Sequence, residues 1–364
     1  MTSLTSSAEL LKTSKDGHEV AAALGISYGK LTWHIYRSPQ TTRYVEFKIP
    51  KRRGGERTIL APASALKLIQ EKLSELLYEL YNPREAVYGF VFNKGIKANA
   101  LKHRGHRMVL NVDLTDFFPS INFGRVRGMF KAKPYLFPDN VATVLAQICC
   151  FNNQLPIGAP TSPVVSNMVC ARLDSELRRL ANATHCTYTR YVDDITFSTN
   201  QTTMPMPEEI AYPSGTIGQV LDNIIRSNGF VPNAAKTKLR NQSQRQEITG
   251  LIINNRNKVN VRRRFVRQIR AMLNDWKVKG YQAASDKHNQ SFAKSKFPGA
   301  TPSDFRAVII GKLGFLGYIT DKGHPYKNYR NRLSQLPIPT PPSTASSAIP
   351  TPPPAATPGT PAAP

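Results

Sequence analysis

Two adjacent aspartates constrain this chain more than any other feature of its sequence. Asp193 and Asp194 lie between two runs of strand-forming residues, at positions 187–190 and 195–198. Two short strands this close together predict a β-hairpin that carries both carboxylates at its tip. Because like charges in contact repel and raise one another's pKa, a fold gains from keeping them together mainly when they bind a divalent cation. The pair therefore predicts metal-assisted chemistry on phosphates.

The chain is strongly basic. Its 364 residues include 49 Lys and Arg against 24 Asp and Glu, which gives a formal net charge of +25. The excess is spread from about residue 30 to residue 335, as on a surface that follows a polyphosphate. The alternative is a charged face that only keeps the protein soluble, but solubility needs no imbalance of this size. Nucleic acid is the predicted partner.

The cysteine spacing and the apolar segments indicate the cellular compartment of the protein. The four cysteines, at positions 149, 150, 170 and 186, have neither zinc-ligand nor disulfide-framework spacing. They are predicted to be reduced core residues of a cytosolic protein. The N-terminus lacks the apolar region of a signal peptide, and no stretch approaches the roughly 20 apolar residues of a membrane span. We expect a soluble, cytoplasmic protein with no membrane contact.

Strand and helix patterns interleave along the chain, which predicts an α+β fold. The sequence predicts strands at 44–49, 57–60, 108–112 and 237–240, helices at 64–81, 139–151, 164–180, 217–228 and 262–279, and a hairpin over 247–261 that turns at Asn254 and Asn255. Residues 1–40 are predicted to be short packing helices. Residues 336–364 carry no charge and are built from Pro, Ala, Ser and Thr, so we expect a disordered tail.

A third carboxylate completes the candidate metal site. Asp113 follows the apolar strand at 108–112, and a strand end and a hairpin tip can converge at one edge of a sheet. Our hypothesis is that Asp113, Asp193 and Asp194 hold two Mg²⁺ ions for an in-line displacement at phosphorus. Each aspartate alone is as compatible with a turn or a helix cap. The three carboxylates by themselves suit a nuclease as well as a polymerase.

Motifs at five positions carry a family resemblance. Residues 111–121 (NVDLTDFFPSI), 155–163 (LPIGAPTSP) and 191–194 (YVDD) resemble, in this order, the palm motifs of reverse transcriptases. Residues 99–103 (NALKH) and 248–250 (ITG) are similar to the NAxxH and VTG elements of bacterial retron reverse transcriptases. The resemblance extends from about residue 44 to residue 330.

The resemblance implies a right-hand polymerase fold. The fingers would span 41–107, the palm 108–261 and the helical thumb 262–335, with the 1–40 extension and the 336–364 tail outside the hand. The palm would hold the YVDD hairpin and a hairpin similar to a primer grip.

The resemblance also implies roles for individual residues. The metal ions would be held by the three aspartates and the backbone carbonyl of Leu114. The implied nucleotide-binding residues are Lys51, Arg57, Asp116, Phe117, Phe118, Gly158 and Lys236. The implied RNA- and primer-binding residues are Asn99, His103, Ile248, Thr249, Gly250, Arg263, Arg267 and Arg270.

Several of these roles have plain alternatives. Arg57 would bind the incoming triphosphate, or is an exposed hairpin charge. Phe118 would exclude a nucleotide 2′-OH, or is a core aromatic. Lys236 would protonate the leaving pyrophosphate, or is a surface lysine. Gly158 would leave room for the templating base pair, next to Ile157, where the widespread pattern has Gln.

His103 and its basic neighbours suggest an RNA-backbone contact or a structural hydrogen bond, and a catalytic role is disfavoured. The basic face of the helix at 262–279 resembles a nucleic-acid clamp, the alternative being a solvated face.

By this resemblance, the chain is an RNA-directed DNA polymerase. It would use dNTPs to extend the 2′-OH of an internal guanosine in a cognate structured noncoding RNA, giving a branched RNA–DNA molecule. A host ribonuclease H and a separately encoded effector protein would be its partners in antiphage defence. The alternatives are a group II intron or diversity-generating enzyme, disfavoured by the NAxxH element, and a non-catalytic RNA-binding scaffold, disfavoured by the three carboxylates.

Overall fold

A computed structural model describes residues 6–51, 54–201, 207–293 and 304–337. The helices are α1 (Ser7–Thr13), α2 (Gly17–Ala23), α3 (Tyr28–Thr32), a π-helical segment (Trp33–Arg37), α4 (Gln40–Arg43), α5 (Ser64–Leu80), α6 (Ile96–Lys102), α7 (Phe123–Lys131), α8 (Asp139–Cys149), α9 (Ser162–Val169), α10 (Ala171–Ala183), α11 (Gln219–Ser227), α12 (Arg263–Lys279), α13 (Tyr281–Ala293), α14 (Phe305–Ile319) and α15 (Tyr326–Ser334). The strands are β1 (Tyr44–Pro50), β2 (Glu56–Pro62), β3 (Met108–Asp113), β4 (Thr187–Tyr191), β5 (Asp194–Thr199), β6 (Lys238–Asn241), β7 (Glu247–Ile248), β8 (Leu251–Ile252) and β9 (Asn260–Val261). The predicted α+β class is confirmed.

The largest sheet positions the acidic residues. Its four antiparallel strands have the order β4-β5-β3-β6. Val109, Leu110 and Val112 of β3 are almost fully buried, as expected for an inner strand. The register places Asp113, at the end of β3, opposite Asp194, at the start of β5. The predicted strand end and hairpin tip therefore meet at one edge of the sheet.

Helices that precede the strands of this sheet in the chain, or lie between them, form the main core with it. The N-terminal helices contribute Leu11, Val20 and Leu31, all fully buried, to this core. The helix predicted at 64–81 is confirmed as α5. The helix predicted over 164–180 is wrong in one respect, because a break at Cys170 divides it into α9 and α10.

A second, small sheet consists of the β1–β2 hairpin. Its buried residues Tyr44 and Leu60 pack with Leu66 of α5 and with Ala159. The Leu60 amide donates to the Ile157 carbonyl at 2.8 Å, which fastens the hairpin to the loop before α9. The hairpin is thus held beside the acidic edge by backbone contacts.

The third sheet, β7-β8-β9, corrects the predicted hairpin at 247–261. The first turn lies at Thr249 and Gly250, whose φ angles of 47° and 87° are those of a two-residue type I′ turn. The predicted turn at Asn254 and Asn255 lies in the loop between β8 and β9, where Asn255 Oδ1 accepts from the Asn257 amide at 2.7 Å. The side-chain amide of Asn254 donates to the carbonyls of Gln242 and Gln244. These bonds hold the chain after β8 against the end of β6.

The C-terminal helices form a separate core with this sheet. Ile269, Leu273 and Trp276 of α12 are buried there, which confirms the predicted amphipathic helix. Ala100 of α6 and Val109 of β3 also contribute, so this core continues into the central sheet. Lys97 of α6 donates to the carbonyl of Tyr318 at 2.9 Å, a second link between the two parts.

None of the four cysteines, all of which lie in the described part of the chain, forms a disulfide. Within the described ranges, no helix is both long and apolar enough to cross a bilayer. Of the predicted tail, residues 338–364 lie outside the described residues, as do Arg52 and Arg53 of the basic turn.

Candidate active site

The predicted hairpin with an acidic tip is confirmed. β4 and β5 are joined by Val192 and Asp193 alone, and Asp194 is the first residue of β5. Val192 has a φ of 60°, a left-handed conformation that is unusual for a β-branched residue. The Leu114 amide donates to the Asp193 carbonyl at 3.1 Å. The tip is therefore bonded directly to the residue that follows Asp113.

Desolvation and mutual repulsion raise the pKa of both hairpin carboxyls. Burial is the largest cause for each, and the charge of Asp113 adds to it at Asp193. Asp194 is an exposed residue by its surface area, but its carboxyl is closely surrounded by protein atoms. This desolvation, together with the charges of Asp193 and Asp113, raises its pKa to about 7. Lys236 and Arg57 oppose the shift at Asp193. A divalent cation would relieve this repulsion, and hard carboxylate oxygens are the donors that Mg²⁺ prefers.

Lys236 contacts the third carboxylate directly. Its Nζ donates to both oxygens of Asp113, at 2.5 and 2.8 Å, and its side chain is half-exposed. Among the described residues, no three His, Cys, Asp or Glu side chains are close enough to hold one ion together. The donor types fit Mg²⁺, and the two-ion hypothesis stays a prediction, as does the role of the Leu114 carbonyl. Lys236 is not a remote surface lysine.

The β1–β2 hairpin supplies positive charge to this site. Arg57 pairs with Ile49 in the hairpin and acts electrostatically on Asp193. Lys51 is exposed at the turn, where its amide donates to the Gly55 carbonyl at 2.8 Å. The charge of Arg57 thus acts on the acidic edge, and nucleotide binding by both residues stays a prediction.

The two phenylalanines after Asp113 differ in their surroundings. Phe117 is only 4% exposed and stacks on Phe230, with ring centroids 5.5 Å apart. The predicted nucleotide contact of the Phe117 side chain is therefore wrong, because packing in the core occupies the ring. Phe118 is half-buried and packs edge-on against Phe117 at 5.2 Å, so one part of it faces solvent. Asp116 is exposed, with a φ of 42°.

Gly158 is required by contact with the β1–β2 hairpin. Its φ is 122°, and a Cβ at this position would lie 2.9 Å from the Leu60 carbonyl oxygen and 3.1 Å from Cγ2 of Ile59. The physical reason for glycine found here is thus backbone geometry and close approach to β2. A contact with the templating base pair stays a prediction.

The NAxxH residues form a buried hydrogen-bond chain. His103 is fully buried and lies 2.6 Å from Ser198 Oγ and 2.7 Å from Thr189 Oγ1. Because Thr189 donates its own proton to Asn99 Oδ1, it accepts from His103 Nε2. His106 contacts the same Ser198 hydroxyl. Burial lowers the pKa of His103 and keeps the ring neutral, so Nδ1 accepts from the Ser198 hydroxyl.

The predicted RNA contact of Asn99 and His103 is therefore wrong. Both side chains lie in the interior, at 1% and 0% exposure, and join α6 to β4 and β5. The structural alternative for His103 is the one that the hydrogen bonds support. Ile248 is likewise only 1% exposed, so its side chain belongs to the C-terminal core and does not reach a primer.

Burial of His103 predicts acid sensitivity. Desolvation, with the charges of His106 and Lys102, lowers the pKa of His103 from 6.5 to about 3. The unfolded chain therefore binds the proton first, so stability is complete above pH 6.5 and falls as the pH drops towards 3. We expect a loss of roughly 2 kcal/mol between pH 7.5 and pH 5 in urea unfolding. His103→Gln should show a smaller pH dependence than the exposed control His185→Gln; equal dependence would contradict this assignment.

Sequence reasoning missed a buried ion pair beneath the hairpin. Arg190 Nε and Nη2 each donate to a different oxygen of Asp174 at 2.7 Å, and both side chains have no exposed surface. Tyr188 donates to the same carboxylate at 2.7 Å. The available signal was a lone Asp next to Leu173 on the apolar face of α10, a position that needs a buried partner.

Comparisons with known proteins decide the family. Residues 49–253, more than half of the chain, match the family model described as "Reverse transcriptase (RNA-dependent DNA polymerase)". The Retron Ec86 reverse transcriptase of Escherichia coli is 33% identical over 258 residues, which cover 70% of this chain and 76% of that protein. The chain belongs to the retron reverse transcriptases.

Two further likenesses were found. The Retron Mx162 reverse transcriptase of Myxococcus xanthus is 35% identical over 283 residues, which cover 71% of the present chain. The chain spans only 58% of that relative's length. A solved telomerase structure from Candida albicans, in complex with a fragment of telomeric RNA, aligns over 80% of this chain and 63% of its own, with a TM-score of 0.44 and 10% identity.

A basic groove adjoins the third sheet of this reverse transcriptase. Its volume is about 1070 Å³, and its cationic lining consists of Arg245, Arg262, Arg263, Arg264, Arg267 and Arg270. Arg263, Arg267 and Arg270 repeat at helical spacing on α12 and are exposed. Gly250 lines a neighbouring groove of about 370 Å³. Of the residues predicted to bind RNA or primer, Arg263, Arg267 and Arg270 line the larger groove and Gly250 lines the smaller one.

The groove predicts salt-dependent binding of nucleic acid. Arg267→Gln should weaken binding of an RNA–DNA hybrid and reduce the slope of log affinity against log salt by about 1, because one phosphate contact is lost. Fluorescence anisotropy at several salt concentrations measures this slope. Arg226→Gln is the matched control, since Arg226 pairs with Asp222 on α11, outside this lining. Equal slopes for both variants would contradict a phosphate contact.

Proposed function

We propose that this retron reverse transcriptase copies RNA into DNA at the acidic edge of its central sheet. The single observation that carries the proposal is the convergence of Asp113, Asp193 and Asp194 at that edge, with Lys236 bonded to Asp113 and Arg57 acting on Asp193. A pure binding scaffold would gain nothing from three carboxylates that destabilise one another's charge.

The side chains around the edge have separable tasks in this proposal. Two Mg²⁺ ions, when bound to the three carboxylates, would acidify the attacking hydroxyl and neutralise charge on the triphosphate. Arg57 binds the triphosphate with its guanidinium fork. Phe118 presents its open side to the nucleotide sugar and rejects a 2′-OH. Lys236 Nζ donates a proton to the leaving pyrophosphate as the primer oxygen bonds to the α-phosphorus and the α–β phosphate bond breaks.

The arginine groove would hold the template–primer hybrid. A guanidinium row at helical spacing suits the phosphates of an A-form-like duplex, whose wide minor groove exposes the 2′-OH groups. Gly250, the exposed residue of the turn with Thr249, lines the neighbouring groove and would contact the primer strand. The arginines of this groove would contribute part of the chain's basic charge to a hybrid-binding surface.

The finer part of the proposal concerns the primer and the partners. We infer that DNA synthesis begins at the 2′-OH of an internal guanosine in a cognate structured RNA and yields a branched molecule. A host ribonuclease H would remove the copied template, and a separate effector would act with the product in antiphage defence. The NAxxH and ITG elements and the kinship with retron enzymes support this reading over an intron-type or diversity-generating enzyme.

Alkaline hydrolysis of co-purified nucleic acid tests the branch. Alkali cleaves an RNA linkage only where a free 2′-OH is adjacent. A 2′-linked DNA would therefore keep a short ribonucleotide remnant that includes the branched guanosine, whereas a linear RNA–DNA junction would leave none. Mass spectrometry of the DNA 5′ end measures the remnant. DNA without it, in a preparation that does synthesise DNA, would contradict the branch while leaving the polymerase proposal intact.

A further inference from the structure

The hairpin tip holds a conformation that needs support. Val192 is in the left-handed region, which costs a β-branched residue on the order of 1–3 kcal/mol. Its neighbour Asp193 carries one of the three carboxylates. A turn that relaxed to a more ordinary conformation would turn this carboxylate away from Asp113. Groups that fix Val192 therefore affect the geometry of the acidic site.

Arg190 is bonded to this turn from beneath. Its Nη1 donates to the Val192 carbonyl at 3.0 Å and to Asn167 Oδ1 at 3.2 Å. The pair with Asp174 uses the opposite side of the guanidinium and leaves it no rotational freedom. The Val192 carbonyl is thus held by a donor that is itself immobilised in the core.

Asn167 extends the contact to the other side of the turn. Its Nδ2 donates to the Gly89 carbonyl at 2.9 Å. Gly89 packs so closely on the tip that a Cβ would lie 2.6 Å from the Val192 nitrogen and 2.7 Å from Val192 Cγ2. The segment before it is fixed to β4, because the Arg190 amide donates to the Ala86 carbonyl at 2.9 Å. Gly89 and Arg190 therefore contact the turn from two sides.

We propose that Arg190, Asn167 and Gly89 are positioning residues for catalysis: they keep Val192 in its left-handed conformation and so aim the Asp193 carboxylate at Asp113. None of the three touches the reacting atoms. The inference rests on the proposed polymerase function. It identifies the function of a buried polar network that stability alone does not require, since apolar residues of similar volume pack as well in a core.

Two single substitutions test the proposal without breaking the Arg190–Asp174 pair. Asn167→Ala removes the link between Arg190 and Gly89, and Gly89→Ala pushes on the Val192 backbone. Each should lower the single-turnover rate of dNTP incorporation by about 10- to 100-fold, the cost of a small misplacement of a catalytic group. The KM for dNTP and the affinity for template–primer should stay within twofold of wild type. Gly128→Ala and Asn140→Ala are the controls, because a Cβ on Gly128 meets nothing within 4 Å and Asn140 contacts only Lys15 and its own helix.

The substitution Val192→Gly distinguishes a positioning role of Asn167 from a general contribution to stability. In a Val192→Gly background, the left-handed conformation is free of strain. Asn167→Ala should then reduce the rate by a clearly smaller factor than it does with Val192, which a double-mutant cycle measures.

The outcomes are distinct. An unchanged rate per folded molecule in Asn167→Ala and Gly89→Ala would overturn the positioning role, as would an equal effect with and without Val192. Folded molecules are counted by template–primer binding stoichiometry, so a loss of yield is not mistaken for a loss of rate. If the wild-type chain itself incorporates no dNTP, the proposed function fails and not this inference alone.

Discussion

Asp194→Asn should reduce RNA-templated DNA synthesis by at least about 1,000-fold, equivalent to roughly 4 kcal/mol of transition-state stabilisation. The amide keeps the shape of the side chain but removes a negative charge from the edge where Asp113 and Asp193 lie. In EDTA-containing buffer, the free energy of unfolding should equal or exceed that of the wild-type chain, because a repelling carboxylate is gone. Single-turnover incorporation and urea unfolding measure the two quantities.

A surface carboxylate provides the matched control. Asp222→Asn removes an equal charge from the ion pair with Arg226 on α11. This variant should keep the wild-type rate within twofold. A large rate loss in both variants would show that net charge matters and not the site. An Asp194→Asn variant with near-normal synthesis would contradict the assignment of this carboxylate.

Arg190→Met should be the most destabilising substitution in the hairpin. It leaves Asp174 charged in the core with only Tyr188 as a donor, and an unpaired buried charge costs about 3–5 kcal/mol. Urea unfolding should show this loss as a lower midpoint with an unchanged slope.

Removing both charges distinguishes stability from positioning. Arg190→Met combined with Asp174→Leu should recover part of the lost stability, because an apolar pair replaces the unpaired buried charge, although the buried Tyr188 hydroxyl loses its acceptor. The rate of dNTP incorporation should stay low, since the donor to the Val192 carbonyl is still missing. A double variant with wild-type stability and wild-type rate would contradict the role given to Arg190.

Local sequence patterns predicted the acidic hairpin because they require only neighbouring residues. Alternating strand formers on both sides of Asp193 and Asp194 specify a two-residue hairpin, and an apolar run ending at Asp113 specifies an inner strand. The convergence of these carboxylates was a hypothesis from a strand end and a hairpin tip, and the strand register now pairs Asp113 with Asp194.

Contacts between residues far apart in the chain could not be predicted from local sequence patterns. His103 has Lys102 and Arg104 as neighbours, which indicated an RNA contact, but its partners Thr189 and Ser198 are 86 and 95 residues away. Its burial is set by how α6 packs on β4 and β5, and no local pattern encodes that packing.

The same limit explains the other corrections. Phe117 and Phe118 are indistinguishable by type, and only the position of Phe230 decides which ring is in the core. Asn254 and Asn255 do lie in the loop between β8 and β9, but the local pattern did not predict the additional turn at Thr249 and Gly250, across which β7 and β8 pair. In each case tertiary contacts outweighed local preference.

Primer extension on an RNA template tests the central claim most directly. The purified chain is given a DNA primer annealed to RNA, dNTPs and Mg²⁺, beside Asp193→Asn prepared in the same way. We predict template-dependent extension by the wild-type chain and none above background by the variant, although both bind the hybrid with equal affinity. Extension that persists in Asp193→Asn, or a wild-type chain that binds the hybrid without extending it, would contradict catalysis at the three carboxylates.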